Sequence, residues 1–143
     1  MTDKLVAPKL SVVLVADSFA KLADVVDAFA RQTVSDSVEI VMVLGPGNDI
    51  DADSPRFAAF AGAQSIILPD IFPMEHARAL GVRASRAPII FIGETHSYPH
   101  QEFAAEIIAA HEEPWDIIVP GLNNANPSGS RSWSSFLLDY GYW

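Results

Sequence analysis

A glycine, a glutamate, a threonine and a histidine follow the apolar run PIIFI, within the stretch FIGETHSYP at residues 91–99. Glu94 and His96 stand two residues apart. In an extended segment residues i and i+2 point to the same side, which would bring a carboxylate and an imidazole to one point. Carboxylate oxygen and imidazole nitrogen together suit a single divalent ion. The alternative is a solvated loop, with Glu94 in a surface ion pair and His96 capping the next helix. Spacing alone leaves both open.

Other reactive side chains form weaker patterns. The loop GPGND (45–49) carries no G-K-[ST] and no G-x-G-x-x-G, so it reads as a polar turn rather than a phosphate cradle. Glu75 and His76 open one helical pattern and His100 opens the next, as helix-end residues do. Arg78 lies early in the first of these helices, where helix amides and a guanidinium would together suit a diphosphate. An ion pair with Glu75 is the plainer alternative. No serine sits in a glycine elbow, and no Ser-His-Asp order supports a hydrolase triad.

The elements that must position these groups alternate along the chain. LSVVLV (10–15), VEIVMVL (38–44), SIIL (65–68), PIIFI (88–92) and DIIVP (116–120) read as strands, and their continuous apolar character fits burial on both faces. Between them lie helical patterns: residues 17–33, a short one through RFAAFAGA after Ser54 and Pro55, one from Pro73 to Ala84, and HQEFAAEIIAAHEE. Strand–helix alternation without hairpin signals predicts a three-layer, Rossmann-like α/β fold, with a mainly parallel sheet and helices on both faces. Ligands of such sheets sit at the carboxyl ends of the strands, where the strand order reverses. Residues 16–18, 45–49, 69–72 and 93–98 are the loops in that place.

Composition bounds the function. At 143 residues the chain reads as one domain, long enough to bury roughly 70% of the surface of its unfolded state. Eighteen acidic side chains against nine Lys and Arg give a formal charge of −9. That excess argues against nucleic acid or an anionic membrane as partner, since no basic surplus neutralises phosphates. The absence of cysteine removes disulfides and thiolate zinc sites and fits a cytoplasmic location. The run LSVVLVA is too short for a signal peptide core with Asp17 behind it, and no apolar run is long enough to cross a bilayer.

The order LSVVLVADS, EIVMVLGPGND, HARALGVRASRAPIIFIGETHSYP resembles the nucleotide-sugar-binding half of family-2 glycosyltransferases with the GT-A fold. The resemblance runs from residue 10 to about 120, with Ala77, Arg78, Leu80 and Gly81 its most specific part. It implies a nucleotide-diphosphate sugar as ligand, bound near Ala16, Asp17, Arg78 and Gly93. It implies a divalent metal, Mn2+ or Mg2+, at the D-x-D position, where this chain has Gly93, Glu94, Thr95 and His96. A carboxylate with an imidazole leans toward manganese or a later transition metal. Val15, Ala16, Asp17 and Ser18 replace the family's Pro-Thr-Tyr-Asn turn, and Leu44 and Gly45 stand where a pair of aspartates would meet the base.

Two readings follow. One is a glycosyltransferase, or its donor-binding half, with the acceptor half and the catalytic base absent from view. The other is a non-catalytic binding or assembly module on the same fold. In the tail, Trp133, Phe136, Leu137 and Tyr140 share one helical face, and Tyr142 and Trp143 follow. Such an ending reads as the first part of a longer protein or domain. It predicts a homo-oligomer whose interface includes residues 133–143, since large bare apolar patches favour association, and no sugar transfer by this chain alone.

Overall fold

The computed structural model describes residues 7–141. Four strands, β1 (Leu10–Ala16), β2 (Val38–Leu44), β3 (Gly62–Ile67) and β4 (Ile89–Ile92), form one sheet in the order β3-β2-β1-β4. Every neighbouring pair is parallel. The strand within 88–92 therefore lies beside that of 10–15.

β1 and β2 are buried along their whole length, so their side chains feed two cores. Leu10, Val12, Leu14 and Ala16 meet Val25, Val26 and Phe29 of α1 (Ala23–Ala30) and Phe103, Ala104 and Ile107 of α3 (Phe103–Ala110). On the opposite face Val15 and Val43 meet Ala77 of α2 (Met74–Ala84). The result is the expected three-layer α/β arrangement, Rossmann-like, with helices on both faces. Each large apolar side chain buried in these cores stabilises the fold by about 1.5–3 kcal/mol. The backbone of α2 rests directly on the sheet: a Cβ at Gly81 would lie 2.5 Å from Val13 Cγ1 and 3.2 Å from Val43 Cγ2.

The amino ends of the strands are locked by a buried carboxylate. Glu39, in the second position of β2, is fully buried. It accepts hydrogen bonds from Ser11 Oγ (2.6 Å), Gln64 Nε2 (3.0 Å), the Arg86 backbone N–H (2.9 Å) and the Arg86 guanidinium. Burial works against its charge, but those bonds and the Arg86 cation outweigh it and hold the carboxyl below its ordinary value. One side chain thus joins β1, β2, β3 and the approach to β4. Gln32, also buried, ties α1 to α3 by donating to the His100 carbonyl (2.7 Å) and accepting from the Ala104 N–H (2.8 Å).

Three sequence expectations need correction. After Ser54 and Pro55 the chain makes only one tight helical turn, Pro55–Phe57, which buries Phe57 and leaves no room for a full helix before β3. β3 itself begins at Gly62, earlier than its apolar run, because the ladder with β2 already starts opposite Glu39. The run DIIVP is not a strand. Ile118 packs against the core, whereas Ile117 and Val119 are 81% and 80% exposed. β4 remains an edge, since apolar character supplies a strand's propensity but not a partner's hydrogen-bond ladder. The tail does form a helix, α4 (Ser130–Tyr140), although no residue of it is buried. It sits over the loops that follow β4 rather than on the sheet, while Tyr142 and Trp143 lie outside the described residues. No helix among the described residues is long and apolar enough to cross a membrane.

Candidate functional site at the carboxyl ends of β1 and β4

From β1 the chain steps outward to β2 and β3, whereas β4 returns to the other side of β1. The reversal places the expected ligand crevice beyond Ala16 and Ile92. Three loops and one helix end converge there.

The loop after β1 is held from beneath. Asn48 Nδ2 donates to the carbonyls of Asp17 and Gly45, both at 2.9 Å, and its Oδ1 accepts the Phe19 N–H at 2.9 Å. Gly45 passes so close that a Cβ there would sit 2.7 Å from the Asp17 carbonyl oxygen. GPGND is thus a polar turn with one pinning side chain. Ala16 turns its methyl into the core, and its carbonyl accepts the Gly45 N–H at 3.1 Å. Asp17 is exposed and pairs with Lys21 at 2.7 Å; the hydrogen bond and charge of Lys21 hold its carboxyl below the ordinary value.

Beyond β4, Gly93 extends the ladder, its N–H donating to the Val13 carbonyl at 2.9 Å. A Cβ there would lie 2.7 Å from Leu14 Cδ2, so an alanine at this position would require the end of the Leu14 side chain to shift. The chain then turns at Thr95 and His96. His96 Nε2 lies 3.4 Å from Glu94 Oε2, and Ser97 Oγ donates to the same oxygen at 2.9 Å. The two side chains do converge, although a turn rather than an extended segment brings them together. They are 45% and 70% exposed for Glu94 and His96, open to a ligand. Tyr140 of α4 lies close enough to sense this carboxylate: burial first, then the charges of Glu94 and Asp139, raise its phenol above the ordinary value.

The helix α2 runs against the strands. Ala77 packs by Val15, Gly81 by Val13, and Arg86 beyond its end reaches Glu39. Its amino end therefore lies on the crevice side, with Arg78 half-buried one residue after Ala77. Among the described residues Arg78 forms no ion pair with Glu75. His76 is exposed in the first turn, and His100 lies just before α3, its Nδ1 accepting the Glu102 N–H at 3.3 Å.

As a metal site the pair is incomplete by itself. Among the described residues no group of three or more His, Asp or Glu side chains is placed to hold an ion. Two donors fit a magnesium or manganese ion when phosphate oxygens and water fill its remaining positions. Sequence reasoning missed Asn48, because an asparagine in a glycine-rich turn is expected for its conformation alone. It also missed the approach of Tyr140 to Glu94, which joins positions 46 residues apart.

No protein-family model matches the chain, and no curated protein does. Among solved structures it resembles two of S. aureus TarS, a glycosyltransferase, one of them of residues 1–349. Each superposes with a TM-score of 0.66 at 15% identity over 85% of this chain. The fold is glycosyltransferase-like. The chain spans 23% and 37% of the matched chains, and identity at this level speaks for the fold alone.

Proposed function

We propose that this domain binds a nucleotide-diphosphate sugar at the carboxyl ends of β1 and β4, as the donor-binding half of a family-2-like glycosyltransferase. The observation that carries the reading is the convergence of Glu94 and His96 at the switch point of a glycosyltransferase-like sheet. In this reading the pair is a degenerate D-x-D motif holding a divalent metal, Mn2+ or Mg2+, together with the diphosphate. When bound, that ion supplies charge neutralisation and Lewis acidity for departure of the nucleotide. The chain's own residues bind and orient. Asn48 holds the backbone of residues 16–19, where the nucleoside would lie, and Arg78 with the amino end of α2 offers positive charge to the diphosphate. The exposed residues Trp133, Leu137 and Leu138 of α4 are the surface through which a second copy would associate.

A second reading has its own support. Leu44, where the resemblance requires a base-binding aspartate, is fully buried, and the Gly45 carbonyl is occupied by Asn48. A binding or assembly module without turnover fits that end of β2. A thermal-shift screen of nucleotide diphosphates and nucleotide sugars, with and without manganese, tests the shared claim of nucleotide binding. A specific ligand at a hundredfold excess over Kd adds about 2.7 kcal/mol of stability, whereas uniform silence across the screen contradicts nucleotide binding and leaves an assembly module. Sugar transfer by a chain shown to bind then separates the transferase from the module.

A further inference from the structure

β4 is an edge of the sheet, and two of its residues turn their backbone outward. The Gly93 N–H donates to the Val13 carbonyl, so Gly93 faces β1, and backbone alternation makes Phe91 and Ile89 face it too. The N–H and C=O groups of Ile90 and Ile92 then point away from the sheet, where among the described residues no other backbone group reaches them. Natural sheets blunt such an edge with charge, proline or a covering element. At the β3 edge this is done: the Arg86 guanidinium sits against Gly62, and Gln64 donates to the Ala84 carbonyl at 2.8 Å. At β4 it is not, because residues 89–92 are all apolar and Ile90 and Ile92 are 39% and 48% exposed.

Residues 117–119 have the complementary shortfall. Ile118 packs on the same core as Phe91, and Pro120 and Phe91 line one cavity beside the Glu94–His96 turn, so this segment lies near β4. It forms no ladder with β4 or with any other described strand. Ile117 and Val119 stand out of the core on either side of Ile118, and Trp115 is exposed before them. Together with Ile90 and Ile92 these side chains expose on the order of 600 Å², the upper end for an apolar patch on a monomer.

Charge decides what can cover this patch. Each copy of the chain carries a formal charge of −9, so two copies repel unless they meet where neither is charged. Residues 87–93 and 117–130 contain no charged side chain. A foreign partner drawn by the acidity of the chain would be basic, and in these segments it would find no acid.

We propose that this face is a two-fold interface between copies of this chain, in which residues 117–119 of each copy add as a strand to β4 of the other. A two-fold axis makes the exchange reciprocal. Each copy thus supplies the hydrogen-bond partners that the other's edge and unpaired segment lack. The contact is separate from the α4 surface and independent of nucleotide binding.

Sedimentation of the intact 143-residue chain over a concentration series, joined to amide hydrogen exchange, tests this. The expected result is a dimer in which the Ile90 and Ile92 amides are protected. Ile117→Lys combined with Val119→Lys changes side chains that are exposed in the single chain and lowers its net negative charge. This double variant should weaken the dimer tenfold or more and release both amides, with an unchanged circular dichroism spectrum. Leu138→Lys on α4 should leave the dimer and the protection as they are. A monomer at every concentration overturns the proposal, and so does a dimer whose Ile90 and Ile92 amides exchange freely. A dimer lost in Leu138→Lys but kept in the double variant also overturns it and assigns association to α4.

Discussion

Two glutamates stand at opposite ends of the same sheet and differ in almost every physical respect. Glu39 lies at the amino end, has no exposure, and receives four hydrogen bonds that join all the strands of the sheet or their approaches. Glu94 lies past the carboxyl end of β4, is nearly half exposed, and has a hydroxyl and an imidazole as close neighbours. A carboxylate whose acceptor positions are filled by its own protein has little left to offer a ligand. One held in place but incompletely engaged retains that capacity. The contrast assigns fold to one end and leaves the other open to a ligand.

The comparison breaks most visibly at Glu39. Replacement by alanine strands Ser11, Gln64 and the Arg86 backbone N–H, and should cost about 3 kcal/mol, measured as a lower urea midpoint with unchanged slope. A loss under 1 kcal/mol would mean that the network merely decorates the sheet. A smaller effect concerns pH. The Glu39 carboxyl is held below its ordinary value of 4.5, so its contribution is complete above that pH and is lost as pH falls through the lower folded-state value. Glu39→Gln should therefore lose stability less steeply than the natural chain on acidification below pH 4.5, in thermal melts across that range. Equal slopes would assign the acid sensitivity to other groups. Smallest of all is the stability effect at the other end: Glu94→Ala and His96→Ala should each stay within about 0.5 kcal/mol of the natural chain.

The same contrast explains what was legible in the sequence. Continuous β-branched runs such as LSVVLV and VEIVMVL announce buried parallel strands, and ARALGV announces a helix whose small residues face the sheet. The edges were harder. Nothing in GAQS suggests that β3 begins at Gly62, and DIIVP has every local property of a strand except a partner. Glu39 itself carried an unread signal: a single charge inside a strand buried on both faces must find hydrogen bonds, and Arg86 just before PIIFI supplies them. At the site, the pairing of Glu94 with His96 was legible from spacing, but the turn that produces it was not. The cavity beside it depends on α4 returning over the β4 loop, which is a tertiary fact without a local trace.

The central claim is that Glu94 and His96 hold a metal-bound nucleotide diphosphate. Isothermal titration of UDP and GDP, each with manganese, into the natural chain, Glu94→Ala and His96→Ala tests it most directly. The account predicts binding by the natural chain to at least one nucleotide, dependent on manganese, and weaker by tenfold or more in each variant, about 1.4 kcal/mol. Binding of equal strength in all three chains, or binding indifferent to manganese, would contradict it.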